Sequence, residues 1–172
     1  HKIQELLKEK ENRLSFLKDF GEEVVLLRKS AAKLEESILE RCTRISAMRK
    51  EVAVKLTKRI KEELEDLNFL GVEFEIRFTK KDKISRDGYD AVDFLISTNP
   101  GQPMKPLQMV ASGGELSRIM LALKTVFASS DDIQTLIFDE IDTGISGKTA
   151  VKVGEKLMNI SKGRQVLCIS HL

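Results

Sequence analysis

The sequence is short of cysteine, of proline and of charge of one sign, and each shortage narrows what the chain can be. Its two cysteines, Cys42 and Cys168, form neither a CxxC pair nor a framework of close spacings. That excludes a disulfide-stapled secreted scaffold and fits a reduced, cytosolic protein. No apolar run approaches the roughly 20 residues that cross a bilayer, so no membrane partner is expected. Lys and Arg total 29 against 27 for Asp and Glu, which rules out a histone-like cation or an acidic tail and leaves any DNA contact to be argued locally. The start, His1-Lys2-Ile3-Gln4, has neither an initiator Met nor a signal-peptide pattern, as expected of a piece of a longer polypeptide.

What is present is unevenly spread. With 172 residues, 41% apolar, the chain can build one core or one lobe plus an extended element. Residues 1–67 carry 16 basic and 14 acidic residues, while the longer remainder carries 13 of each, so the first region is too charged for a globular lobe. Heptad a and d positions at 3, 6, 10, 13, 17, 20, 24, 27, 31, 34, 38, 41, 45, 48 and 52 are apolar in 12 of 15 cases. Lys10, Arg13 and Arg41 are the exceptions, and Gly21 is a weak point. From Val24 onward β-branched residues or alanine occupy a, and Leu27 and Leu34 occupy d, the distribution of a two-stranded coiled coil. The alternative is a long amphipathic helix within a bundle. Beyond Val52 the spacing shifts to Leu56, Ile60, Leu64 and Leu67, the wider stripe of a helix docked on a core.

A lobe should follow. Val72, Phe74, Ile76 and Phe78 alternate with polar residues, as do Val92, Phe94 and Ile96 beyond Asp87-Gly88, which predicts a hairpin. The segment from Asn99 to Pro106 holds all three prolines and is expected to be loop. Leu116, Ile119, Met120, Leu123, Val126 and Phe127 follow a 3.6-residue period, which puts Ser112-Gly113-Gly114 at a helix N-terminus. Leu136-Ile137-Phe138 reads as a buried strand running into Asp139-Glu140. A helix from about Lys148 to Ile160 and a strand Val166–Ile169 complete a βαβ pattern and an α/β fold class.

Glycine amides, the Ser112 hydroxyl and the positive end of a helix make an anion site suited to a phosphate, although an ordinary serine cap with a flexible turn explains the tetrapeptide equally well. Asp139 can orient Mg²⁺ and Glu140 can polarise a water, while a solvated strand end accounts for any lone pair of acids. His171 leaves the last strand, where it can sense a phosphate or simply face solvent. Gly147-Lys148-Thr149 imitates the tail of a Walker A loop, but that motif needs glycine five residues before Gly147, where Asp142 stands. Between residues 41 and 61, eight basic residues face the single acid Glu51. Lys55, Lys58 and Arg59 are the candidate DNA contacts, to the backbone and without base specificity, unless the stripe is a solvated helix face.

In order along the chain, Ala111-Ser112-Gly113-Gly114-Glu115, Thr135–Glu140, Asp142–Gly147 and Ile169-Ser170-His171-Leu172 together resemble the second half of an ATP-binding-cassette head: signature, Walker B, D-loop region and switch histidine. Ser97–Gly101, Val110–Lys124 and Phe138–Gly147 are similar to the RecN family of SMC-like bacterial DNA repair proteins. The resemblance is close over roughly residues 60–172 and covers the coiled coil only in character. It implies a C-terminal head lobe (68–172) on a coiled-coil arm and neck (1–67). The intact protein is then an ATPase of DNA double-strand break repair, cytoplasmic and nucleoid-associated, with ATP and Mg²⁺ as cofactors. Its implied partners are DNA, a second head in a homodimer and the Walker A lobe of the same protein. Glu140 and His171 would be catalytic, Ser112, Gly113, Gly114 and Glu115 would bind the nucleotide of the opposing head, and Asp139 the metal. One departure stands out: many SMC-type heads have aspartate where this chain has Ser146, so individual roles in the D-loop stay open. A non-enzymatic coiled-coil scaffold and a P-loop phosphotransferase are the rival readings.

Overall fold

The computed structural model describes residues 2–110, 112–128 and 130–170. It divides into two compact units, His1–Ala47 and Met48–Leu172. The first consists of the leading part of helix α1 (Lys2–Asp66), which passes through Gly21 without a break. Its heptad positions are present as an apolar stripe, and Leu6, Leu17, Phe20, Leu27, Leu34 and Ile38 are all exposed.

In the second unit α1 becomes a core helix. Ala53, Ile60, Leu64 and Leu67 recur at helical spacing and are buried. The helix stops because Asn68 adopts a left-handed conformation (φ 68°), which lets the Phe69 amide donate to the Leu64 carbonyl at 3.1 Å. Strands β1 (Glu73–Ser85) and β2 (Gly88–Ser97) then form the expected antiparallel hairpin, with Phe74 opposite Ile96, Ile76 opposite Phe94 and Phe78 opposite Val92. Gly88 supplies the positive φ (92°) where the chain returns.

The proline-rich segment departs from the expected loop at its end. Lys105–Pro106 form a two-residue strand, β3, with Pro106 paired to Leu95. It lies at the edge of the sheet, where a missing N–H is tolerated. A single 3-10 turn, Leu107–Met109, follows.

Helix α2 (Gly113–Val126), strand β4 (Thr135–Asp139), helix α3 (Gly147–Ser161) and strand β5 (Gln165–Ile169) give the expected βαβ unit, with β4 and β5 parallel. Leu136 and Phe138 face the helices and are buried, together with Ile119 and Ala122 of α2 and Val153 and Ile160 of α3. The other face of this sheet shows Ile137, Leu167 and Ile169 to solvent. Parallel strands are ordinarily covered on both faces. Of the expected α2 stripe Ile119, Leu123 and Val126 are buried, but Leu116 and Met120 are exposed, and Gly114, Arg118, Leu121 and Ala122 extend the buried face to the other side. Polar ties fasten the unit, with Arg49 to Asp90 at 3.1 Å and Lys156 to Asp66 at 3.0 Å and to Glu63. Both cysteines are free thiols.

Candidate active site

The N-terminus of α2 and the C-terminal end of β4 meet. Ser112 caps the helix in an extended conformation, its Oγ accepting from the Glu115 amide at 3.4 Å. The amides of Gly113 and Gly114 precede the first intrahelical bond and lie at the positive end of the helix. A Cβ placed on Gly113 would come within 2.5 Å of Glu140 Oε2, so the Glu140 carboxylate lies against this helix end. A Cβ on Gly114 would meet the Glu140 carbonyl at 2.9 Å and the Thr143 carbonyl at 3.2 Å. The two glycines therefore have a second purpose that the sequence does not disclose: they let the segment after β4 lie flush on the helix.

Asp139 ends β4 on its exposed face, in line with Ile137. Glu140 does not continue the strand. Its φ is 55°, a left-handed conformation that costs a non-glycine residue about 1–3 kcal/mol and persists only where its surroundings enforce it. The Thr143 amide donates to the Glu140 carbonyl at 3.0 Å, closing a tight turn. The Ser117 hydroxyl donates to the Asp139 carbonyl at 2.5 Å, and Arg118 Nη1 donates to the carbonyls of Thr143 at 2.9 Å and Ile141 at 3.4 Å. Arg118 is only 7% exposed, and its guanidinium lies 5.5 Å from the centre of the Phe69 ring. Burial pulls its pKa down, which the charge of Glu115 partly offsets. On the far side of the loop the Ser170 hydroxyl donates to Asp142 Oδ2 at 2.5 Å, tying β5 to the segment after β4.

Of the sequence-derived candidates, Ser112, Gly113, Gly114, Glu115, Asp139 and Glu140 thus converge on one place. His171 and Ala111 lie outside the described residues. Lys55, Lys58 and Arg59 are exposed on α1, away from this convergence in sequence; Lys55 is bonded to Glu51 at 2.9 Å, and Lys58 lies 3.9 Å from Glu62. The Lys55 hydrogen bond, followed by its charge, holds the Glu51 carboxyl below its usual range. Gly147-Lys148-Thr149 opens α3, and Thr149 is buried with its Oγ1 3.3 Å from Ser146 Oγ. A P-loop threonine faces a cation instead. Sequence reasoning missed Ser117 and Arg118. The legible sign was a charged residue at position 118, four residues after Gly114 and four before Ala122, on the face that turns inward.

The Ser112 hydroxyl and the amides of Gly113 and Gly114 at the positive end of α2 are donors of the kind that take a phosphate. Among the described residues no group of three or more His, Cys, Asp or Glu could hold a metal ion. A magnesium ion commonly takes one or two carboxylates and completes its shell with water and phosphate oxygens, and Asp139 is of the right kind for that arrangement.

No family model matches the chain. Among curated proteins it is similar to the DNA repair protein RecN of Halalkalibacterium halodurans, 49% identical over 132 residues, 74% of this chain and 23% of that protein. It is also similar to RecN of Bacillus subtilis, 39% identical over an alignment of 186 residues that covers 99% of this chain and 31% of that protein. The chain belongs to the RecN family. It spans about a quarter to a third of these RecN proteins, as the two coverages show. Among solved structures, the Smc head domain with an extended coiled coil, bound to the C-terminal domain of ScpA and derived from Pyrococcus furiosus, superposes with a TM-score of 0.48 at 20% identity, covering 72% of this chain and 29% of that one. Among the described residues no helix is long and apolar enough to cross a membrane.

Proposed function

We propose that this RecN chain is the C-terminal part of an ATPase that acts in DNA double-strand break repair and recombination, hydrolysing ATP between paired heads. The observation that carries the reading is the convergence of the Ser112-capped helix end with Asp139 and Glu140. Residues 1–67 serve as arm and neck and residues 68–172 as the C-terminal half of the head. Bound ATP supplies the phosphoryl group, and Mg²⁺ offsets its charge. Ser112, Gly113, Gly114 and Glu115 present amides, a hydroxyl and a helix end to the phosphate held by the opposing head. Asp139 holds the cation or its water ligands, and Glu140 takes a proton from the attacking water. His171 is assigned to the γ-phosphate on sequence grounds. Ile137, Leu167 and Ile169, with Leu116 and Met120 of α2, which line one groove with Ile137, are the uncovered apolar side chains that a Walker A lobe of the same protein would bury. Lys55, Lys58 and Arg59 contact DNA phosphates, and the protein works in the cytoplasm on the nucleoid.

In the intact protein, Glu140→Gln should retain ATP and the closed head pair while hydrolysis falls about 10²–10⁴-fold, because water activation is lost and phosphate contacts are kept. Near-normal turnover would remove Glu140 from the catalytic role. Binding of ATP to the variant and turnover are read separately, by equilibrium titration and by phosphate release.

A further inference from the structure

We propose that Ser117 and Arg118 are positioning residues for Glu140: two consecutive side chains of α2 hold the chain on either side of its left-handed turn. The direction of the carboxylate then follows the seating of the helix that faces phosphate. This inference rests on the reading of Glu140 as the group that activates water.

Three observations carry it. The turn at Glu140 has a positive φ without a glycine, so something outside the turn must impose it. The Thr143 amide closes the turn from within, and the side chains bonded to the backbone on its two sides are Ser117, at the Asp139 carbonyl, and Arg118, at the Ile141 and Thr143 carbonyls. Gly114, one helical turn before Arg118, leaves no space for a Cβ between α2 and the Glu140 carbonyl, so helix and turn are seated directly on each other.

The choice of arginine points the same way. Arg118 is buried, and among the described residues no carboxylate forms an ion pair with it and its Nε has no hydrogen-bond partner. A buried charge is costly to desolvate, and an apolar side chain of similar length would fill the same volume at lower cost. What arginine adds is a pair of bonds to carbonyls beyond Glu140 and a cation to lie over Phe69, which immediately follows the turn at the end of α1. Stability alone does not call for it.

Arg118→Met in the intact protein keeps length and apolar contact but removes the donors. We expect kcat to fall about tenfold or more with KM within about twofold, the pattern of a lost transition-state contribution. The effect should vanish in a Glu140→Gln background, where no carboxylate remains to be aimed. Arg118→Lys, which keeps a donor, should recover part of the loss. Ser117→Ala removes the other half of the clamp from an accessible site and should lower kcat about threefold, which keeps the question answerable if Arg118→Met fails to fold. Hydrogen exchange supplies a readout that does not need turnover: the Thr143 amide, which bonds to the Glu140 carbonyl, should exchange about tenfold faster in either variant. Unchanged kcat in folded variants, an equal loss in the Glu140→Gln background, or unaltered Thr143 protection would each overturn the proposal. An intact wild-type protein that hydrolyses no ATP, yet shows the faster Thr143 exchange in Arg118→Met, would sink the ATPase reading and support the clamp.

Discussion

Leu34 and Leu64 lie on the same helix and meet opposite fates: Leu34 is 61% exposed and Leu64 is 0% exposed. Both belong to regular apolar spacings, so periodicity alone does not separate them. The difference is in what accompanies the stripe. Around Leu64 the chain supplies a hairpin, α2 and α3, whereas the residues flanking Leu34 are helix for more than 30 positions on either side. A hydrophobic period marks a face that will be covered, and only the rest of the sequence says by what.

The contrast can be broken most sharply at those two leucines. Leu64→Ala should destabilise the lobe by about 2–5 kcal/mol through a cavity in a closed core. In dilute chain, Leu34→Ala should change stability by less than about 0.5 kcal/mol, the usual outcome for an exposed position. Urea unfolding followed by circular dichroism measures both. Equal losses would mean that the Leu34 face is also covered.

A smaller effect is expected at Lys156, which bonds to Glu63 and Asp66 of α1. Burial lowers its pKa, but the hydrogen bonds to Glu63 and Asp66 outweigh this, so the folded value is raised above the ordinary 10.5. A raised folded pKa stabilises most fully below the unfolded value and ceases to do so as pH rises through the folded one. Lys156→Met should therefore cost about 1 kcal/mol at neutral pH, and the gap from wild type should close in alkali above the unfolded pKa of about 10.4. A gap that persists at higher pH would assign the loss to packing rather than to charge.

A gain of stability sharpens the comparison by removing it. Gly21 of the first unit and Gly154 of α3 both have open space where a Cβ would stand. Each replacement by alanine should stabilise by about 0.5–1 kcal/mol, the helix-propensity difference. Thermal melts of the two single variants would then shift upward alike. A downward shift at Gly21 alone would show that the arm uses its glycine for close approach.

Much of this architecture was legible because its signals are local. The hairpin followed from Phe74, Ile76, Phe94 and Ile96 alternating on either side of Asp87-Gly88, and the start of α2 from Ser112 ahead of a helical period. What escaped was long-range. Pro106 pairs with Leu95 across a sheet edge, which no local preference announces. Asp139-Glu140 reads as a strand running on, and the reversal at Glu140 depends on groups from α2 some 22 to 25 residues earlier. Arg118 could have been singled out as a charge on an inward face, but its acceptors are backbone carbonyls, which carry no side-chain signature.

The closeness of Gly114 to the Glu140 carbonyl changes how mutants at the signature would have to be interpreted. Replacing a glycine there is the obvious way to ask whether it meets a phosphate, and lost activity is the obvious positive answer. At Gly114 that answer is confounded, because the first carbon of any side chain collides with backbone of the same head before a nucleotide arrives. At Gly113 the obstacle is only the end of the Glu140 side chain, which can rotate away. A Gly113 substitution is thus the better probe of phosphate contact, provided the carboxylate it displaces is followed at the same time.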